Sequence, residues 1–306
     1  MLYLLYYKWR NKKGFLSVRI TMKYVKIAIC VSLFAHPLMA EPTAAVVNSE
    51  VVKQEIASKA AEPNKEELAK KLANPIAALI SLPFQLNYDR GFENTSGNES
   101  NKWTLNIQPV IPFSLNDDWN LISRTIVPVI RTDNLPLGNG IDGGVGDIVQ
   151  SLFFSPKAPT DSGWIWGAGP VFLVPTNSDV SAETWGAGAT AVALKQDGPY
   201  TYGVLANHLW DIGGEHDISQ TFVQPFFTYT TPEALSTTLM TETTYDWNAA
   251  SANAWTVPIF LMVTKVGKIG DQMISYGGGV KYYAESPDGG PKGWGVRLVF
   301  TMLFPK

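Results

Sequence analysis

The sequence predicts an all-β fold, an antiparallel transmembrane β-barrel of about 12 strands with a short helical N-terminal arm. Three observations carry that expectation. Along the final strand, six large apolar residues recur at every second position: Trp294, Val296, Leu298, Phe300, Met302 and Phe304. A period of two sends one set of side chains to each face, and such an apolar face needs a protein core or lipid against it. Between them stand Gly295, Arg297, Val299, Thr301 and Leu303, a mixed set with a charge and a hydroxyl.

The second observation is the length of the connections. Links at 92–101, 132–144, 176–184, 212–219 and 285–293 are long, whereas 116–118, 197–199 and 266–270 are short. A barrel with an even number of strands puts short turns in the periplasm and long loops outside. A soluble sandwich has no reason to alternate in this way. Third, the nine tryptophans beyond residue 40 (Trp103, Trp119, Trp164, Trp166, Trp185, Trp210, Trp247, Trp255, Trp294) fall at or near strand ends. Amphipathic rings favour the headgroup zone, where aromatic girdles form.

In chain order, residues 1–40 read as a secretory signal. Met22-Lys23-Tyr24-Val25-Lys26 is a basic start, 27–35 is apolar, and Leu38-Met39-Ala40 precedes a cut after Ala40. Met22 makes the better first residue, with 1–21 an upstream extension. The only cysteine, Cys30, lies inside this leader, so the mature chain has no thiol chemistry and no thiolate metal site.

Residues 41–76 form a periplasmic or plug-like arm. Its 44–61 stretch is weakly amphipathic. Asn64 can cap a short helix, with Glu67 three residues on completing a capping-box pattern and Asn74-Pro75 stopping it. Glu66 and Glu67 suit the positive end of that helix, Lys70 and Lys71 the negative end.

The barrel occupies 77–306. Its strands are expected at 81–90, 102–115, 119–131, 145–156, 163–175, 185–196, 200–211, 220–230, 236–247, 255–265, 271–284 and 294–304. At roughly ten residues each and a tilt near 45°, they cover the ~25 Å apolar band of such barrels.

Composition excludes several function classes. The chain is 45% hydrophobic but only 17% charged, and no mature stretch is apolar for the ~18 residues a membrane helix needs. Without the leader, 17 basic residues face 27 acidic ones, a balance of −10. That argues against a nucleic-acid partner, which calls for a basic patch.

The runs Leu105-Asn106-Ile107-Gln108-Pro109-Val110-Ile111-Pro112-Phe113, 146–156 (from Gly146-Asp147-Ile148 to Ser155-Pro156) and 163–170 (Gly163-Trp164-Ile165-Trp166 onward) carry a family likeness. Tyr245-Asp246-Trp247 and Pro287-Asp288-Gly289-Gly290-Pro291 complete it. The chain resembles the phenol-degradation MetA-pathway family of outer-membrane barrel transporters, from about Leu72 to the end. Some relatives bear the label neuromedin U, a neuropeptide name that nothing in this chain supports. The resemblance implies passive uptake of small molecules, with aromatic or other hydrophobic compounds suggested by the family name. It transfers no catalytic or binding residue. A Gram-negative outer membrane follows as the location, with its lipid, the barrel assembly machinery and a small solute as partners. Pro305 and Lys306 beyond Phe304 depart from the usual terminal aromatic.

Enzyme signatures are scarce, and no catalytic residue, metal ligand or cofactor is expected. His208 shares the parity of Tyr202, Val204 and Trp210 and reads as an interfacial side chain. His216 reads as a loop residue, and Asp288-Gly289-Gly290 as a turn rather than a calcium loop. A phospholipase-like barrel is the enzyme alternative, and no Ser–His partnership is visible for it. A closed structural or adhesive barrel is the other.

Inward parity gives the candidate lumen residues. With Leu82, Phe84, Leu86, Tyr88, Leu105, Ile107, Ile111 and Phe113 outward, Gln85, Asn87, Asn106 and Gln108 point in. Glu242 and Asp246 do so on the ninth strand. Arg124, Lys281 and Arg297 read as inward because a cation facing lipid at mid-depth costs ~2–4 kcal/mol. The fourth strand shows no clear parity. A final hairpin folded about Gly289 sets Lys281 nearly opposite Arg297. The two repel there unless a carboxylate or an anionic solute lies between them.

Overall fold

The computed structural model describes residues 64–92, 100–133, 141–176 and 178–305. The leader with Cys30 and the 44–61 stretch lie outside the described residues. None of the described helices is long and apolar enough to cross a membrane; strands are another matter.

Twelve antiparallel strands close into one barrel. They are β1 (Ile80–Arg90), β2 (Asn101–Ile107 and Val110–Ser114), β3 (Trp119–Asp133) and β4 (Ile141–Val145 and Ile148–Pro156). Next come β5 (Trp164–Val174), β6 (Thr184–Asp197), β7 (Tyr200–Gly214) and β8 (Ser219–Thr230). The last are β9 (Leu235–Thr241 and Thr243–Asp246), β10 (Trp255–Ile269), β11 (Gln272–Glu285) and β12 (Gly293–Phe304). Each pairs with its chain neighbour, and β12 returns to β1 in a register running from Ile80 opposite Phe304 to Tyr88 opposite Val296. Closure leaves no exposed edge, the condition for a sheet in hydrocarbon.

The sequence-predicted strands coincide with these to within a few residues. The widest departures are β4, which starts at Ile141, and β10, which runs on to Ile269. Prolines lie at the interruptions of β2 and β9. In β2, Pro109 has no N–H to donate, yet pairing with β1 and β3 keeps one register across it. In β9, the break at Glu242 lies beside Pro258, whose carbonyl accepts the Glu242 N–H at 3.3 Å.

The interruption in β4 is a true bulge. Val145 faces Val129, but Val149 faces Ile126, so three residues of β4 oppose two of β3. The extra residue shifts the parity within the strand, which is why no alternation shows in its sequence.

The outward face is mostly apolar, with a few hydrogen-bonded polar groups such as Ser123, Thr125 and Gln150. On β12, Leu298 is 59% exposed and Trp294 55%, while Arg297, Thr301 and Leu303 are buried. Tryptophans mark both rims: Trp119, Trp164 and Trp166 at the short-turn end, the other six at the long-loop end. Several pack on aromatic neighbours, among them Trp119 on Trp166 at 5.9 Å and Tyr282 on Trp294 at 5.1 Å between ring centroids.

Helix α1 (Lys65–Leu72) sits at the short-turn end. Asn64 caps it, its side chain accepting the N–H groups of Glu66 at 3.0 Å and Glu67 at 3.3 Å. The capping box is only half formed, because the Glu67 carboxylate turns to Lys71, 2.7 Å away. The hydrogen bond and charge of Lys71 hold that carboxyl below the usual carboxylate range. Leu68 and Ala69 pack with Leu79, Ala234, Val266, Met273 and Leu303. Beyond the helix, Ile76 is buried with Phe153, Leu194, Phe222, Phe226 and their neighbours. The main apolar core is therefore inside the barrel, toward the α1 end.

We predict that Leu298→Arg, near the middle of the outer face, destabilises the barrel refolded in lipid vesicles by ~2–4 kcal/mol, and Phe113→Arg near the rim by only ~0–1 kcal/mol. Urea titration measures both; equal costs would refute the assigned facing.

Candidate solute path

The inward side chains, with the segment from α1 to Leu79 at one end, border two cavities. The one toward the long loops has a volume of about 220 Å³, and the one toward α1 about 240 Å³. Both are bordered by Gln85, Gln108, Arg124, Gln224, Met240 and Arg297, which form a waist between them. Part of that waist is one hydrogen-bonded chain. Arg124 Nη2 donates to Gln108 Oε1 at 3.1 Å, and Gln108 Nε2 donates to Gln85 Oε1 at 2.9 Å.

Of the nine residues expected to face inward, Gln85, Asn87, Asn106, Gln108, Arg124, Glu242, Lys281 and Arg297 border the outer cavity. Asp246 does not. It shares Glu242's parity, but β9 ends there, and its carboxylate accepts the Asn248 N–H at 2.9 Å in the following turn.

Lys281 and Arg297 are diagonal rather than opposite. The register sets Lys281 against Gly295 and Arg297 against Gly279, so the last hairpin pivots on Asp288, one residue earlier than expected. Gly295 leaves room for the Lys281 stem. A Cβ on Gly295 would stand 2.8 Å from Lys281 Cε and 2.6 Å from the Tyr88 carbonyl.

Each of these cations has a carboxylate. Lys281 Nζ lies 2.6 Å from Asp89 Oδ1, which also accepts the Tyr283 hydroxyl at 2.8 Å. Arg297 holds Glu242 in a two-pronged contact at 2.6 and 2.8 Å, and its Nε donates to Asn87 Oδ1 at 2.6 Å. Its guanidinium also lies over the Phe260 ring, 4.2 Å from the centroid. Asp89 shares the parity of Gln85 and Asn87 and was readable from it. Its pairing with Lys281, across the closing seam, was not.

Another residue beyond the expected set is Asp147, carried inward by the β4 bulge and buried. Its carboxylate accepts the Ala182 N–H at 2.7 Å, the Thr176 N–H at 3.4 Å and the Ser181 hydroxyl. The link between β5 and β6 is thereby tied to the barrel wall. Among the described residues, no group of three or more His, Cys, Asp or Glu side chains is placed to hold a metal ion.

No protein-family model matches this chain, and no curated protein sequence matches it. Solved structures do. An outer membrane channel from Pseudomonas putida F1 aligns with 74% of this chain and 96% of its own, at 13% identity and a TM-score of 0.58. The NanC porin aligns over 74% and 100% at 11% identity and a TM-score of 0.47. Outer membrane phospholipase A from Escherichia coli aligns over 74% and 98% at 10% identity and a TM-score of 0.43. At 13% identity the first likeness speaks for the fold. The chain has a closed twelve-stranded antiparallel barrel, and its fold is similar to that of this outer membrane channel.

We predict that Glu242→Gln lowers barrel stability by ~3–5 kcal/mol by leaving Arg297 buried without its counter-charge. The double variant Glu242→Gln/Arg297→Met should recover much of that loss. Urea unfolding in lipid vesicles reads both, and additive losses would show that the pair is not coupled.

Proposed function

We propose that this protein is a channel of the Gram-negative outer membrane through which small molecules pass passively. The supporting observation is the pair of cavities, one toward each end of the barrel, that meet at a ring of hydrogen-bonding side chains. Such a path needs only a gradient and polar groups that exchange hydrogen bonds with a solute. The aromatic or other hydrophobic solutes suggested by the phenol-degradation resemblance fit the mixed lining, in which Ile126, Leu205, Phe222 and Phe260 stand among amides and charges. Eight of the nine residues expected to face inward, all but Asp246, are the proposed lining of that path. The segment from α1 to Leu79 is the proposed plug. The outer-membrane lipid and the assembly machinery are the partners this reading requires.

The burial of Ile76 among inward apolar groups favours a second reading, a closed structural barrel. Twelve strands lie between barrels filled by their own side chains and open ones. Catalysis has less support. The nearest approach to a base–nucleophile pair is His208 Nδ1 beside Thr221 Oγ1 at 2.7 Å, but that hydroxyl already accepts Trp247 Nε1–H at 2.8 Å. His208 Nε2 has no hydrogen-bond partner among the described residues, so no third group orients the ring as a hydrolytic triad requires.

Liposome swelling separates the first two readings. The full chain in vesicles should pass glycerol and a pentose above the background of empty vesicles, and Ile76→Ala should raise the rate. No leak from either protein would establish the closed barrel instead. Phospholipid hydrolysis lost in Thr221→Ala would revive the enzyme.

A further inference from the structure

We propose that Arg124, at the waist, is the anchor of a binding site for small carboxylates carrying a compact apolar body. The proposal rests on the channel reading, because it places the site on that path. Four cations border the outer cavity: Lys102, Arg124, Lys281 and Arg297. Lys281 is held by Asp89 and Arg297 by Glu242, while Lys102 stands across the strand pair from Asp89. Arg124 differs. Among the described residues its guanidinium makes one hydrogen bond, to the neutral Gln108 Oε1, and no salt bridge. Both oxygens of Glu242 are already taken by Arg297. At the waist, two guanidinium groups face one carboxylate, which leaves one positive charge without a partner. A guanidinium presents five N–H donors in a planar fork that matches a carboxylate, so the vacant prongs define the head group.

The wall beside Arg124 defines the rest of the ligand. Most polar residues of the outer cavity come from β1, β2, β11 and β12, whereas β3, β4, β7 and β8 contribute the apolar Ile126, Val149, Leu205 and Phe222 beside Asp147, Ser151, Asn207 and Gln224. Ile126 is on the same face as Arg124, two residues along β3 toward the long loops, or about 7 Å at the rise of a strand. Across the strand pair, Val149 faces Ile126 and Ser151 faces Arg124. A carboxylate seated on Arg124 therefore projects its body onto Ile126 and Val149, within a cavity of about 220 Å³. That length and volume suit a single ring or a short branched chain. A dicarboxylate would meet apolar groups at its far end, and a neutral analogue would leave the guanidinium as it is.

Planar-bilayer recordings of the full chain in chloride, with benzoate, acetate and benzamide as probes, test the site. Benzoate should reduce the current at a concentration about tenfold below that needed for acetate, which lacks the body, or benzamide, which lacks the charge. Arg124→Gln should raise the half-blocking benzoate concentration about tenfold and Arg124→Lys by less. Ile126→Thr should weaken benzoate while leaving acetate unchanged. Equal block by benzoate and benzamide, or block unaltered in Arg124→Gln, overturns the proposal. Heat-modifiable gel migration checks the fold of each variant, and the comparison of the three probes on the unaltered chain needs no variant. Pentose leak without benzoate block would overturn this site and leave the channel standing. If neither leak nor current is seen, the channel reading fails, and calorimetry of benzoate against the detergent-folded chain decides the site by itself.

Discussion

The closing seam between β1 and β12 is the contact on which the rest depends. Hydrocarbon offers no partner to an unpaired N–H or C=O, so twelve strands are tolerable there only if the last bonds the first. The seam's register, Asn87 opposite Arg297 among its pairs, also decides what points inward. Side chains alternate with a period of two, and a slip of one residue would turn Arg297 to lipid and bring Leu298 into the lumen. Arg297 in turn locks the register. Its Nε donates to Asn87 across the seam while its other nitrogens reach Glu242 on β9. Backbone closure and the buried charge network therefore specify the same arrangement.

How much of this was legible follows from which signals are local. Strand positions, outward faces and tryptophan rims are properties of ten-residue windows and were readable in them. The inward parity of Gln85, Asn106 and Glu242 was readable for the same reason. Three features were not, and each involves a second strand. The β4 bulge depends on pairing with β3, so Gly146-Asp147 gave no sign that an aspartate would be aimed inward to hold the Ala182 N–H. The pivot of the last hairpin differs by one residue from Gly289, which suffices to turn an opposed pair of cations into a diagonal one. The carboxylates that neutralise them come from strands distant in sequence, Asp89 for Lys281 and Glu242 for Arg297. Local alternation tells which side a charge faces; only register tells which charge it meets.

The interior is neither a plain core nor a plain pore. Toward α1 it resembles the core of a soluble domain, with Phe153, Leu194, Phe222 and Phe226 around the inserted Ile76. Toward the long loops it is lined by amides and ions. Both are consequences of size. A barrel of this strand number lies between those that their own side chains fill and those that leave an aqueous channel. Leu68, Ile76 and Leu79 pack against inward groups at one end, and the polar groups at the other must satisfy each other or a solute.

Buried ion pairs are poor stabilisers when an apolar alternative exists, because two desolvations oppose one attraction. Asp89–Lys281 and Glu242–Arg297 therefore call for a reason other than stability. Apolar side chains of the same volume at these four positions would leave the outer cavity lined largely by apolar groups. Charges that are already paired keep it polar without drawing in tightly held counter-ions, and Gly295 opposite Lys281 leaves space for the lysine stem. Against that compensated background a single uncompensated guanidinium is distinct. If every cation were paired, the lumen would be merely wet; if none were, any anion would be held and passage would slow. Arg124 next to Ile126 occupies the position between those limits, where one charge and one apolar surface suffice to prefer one kind of small molecule without trapping it.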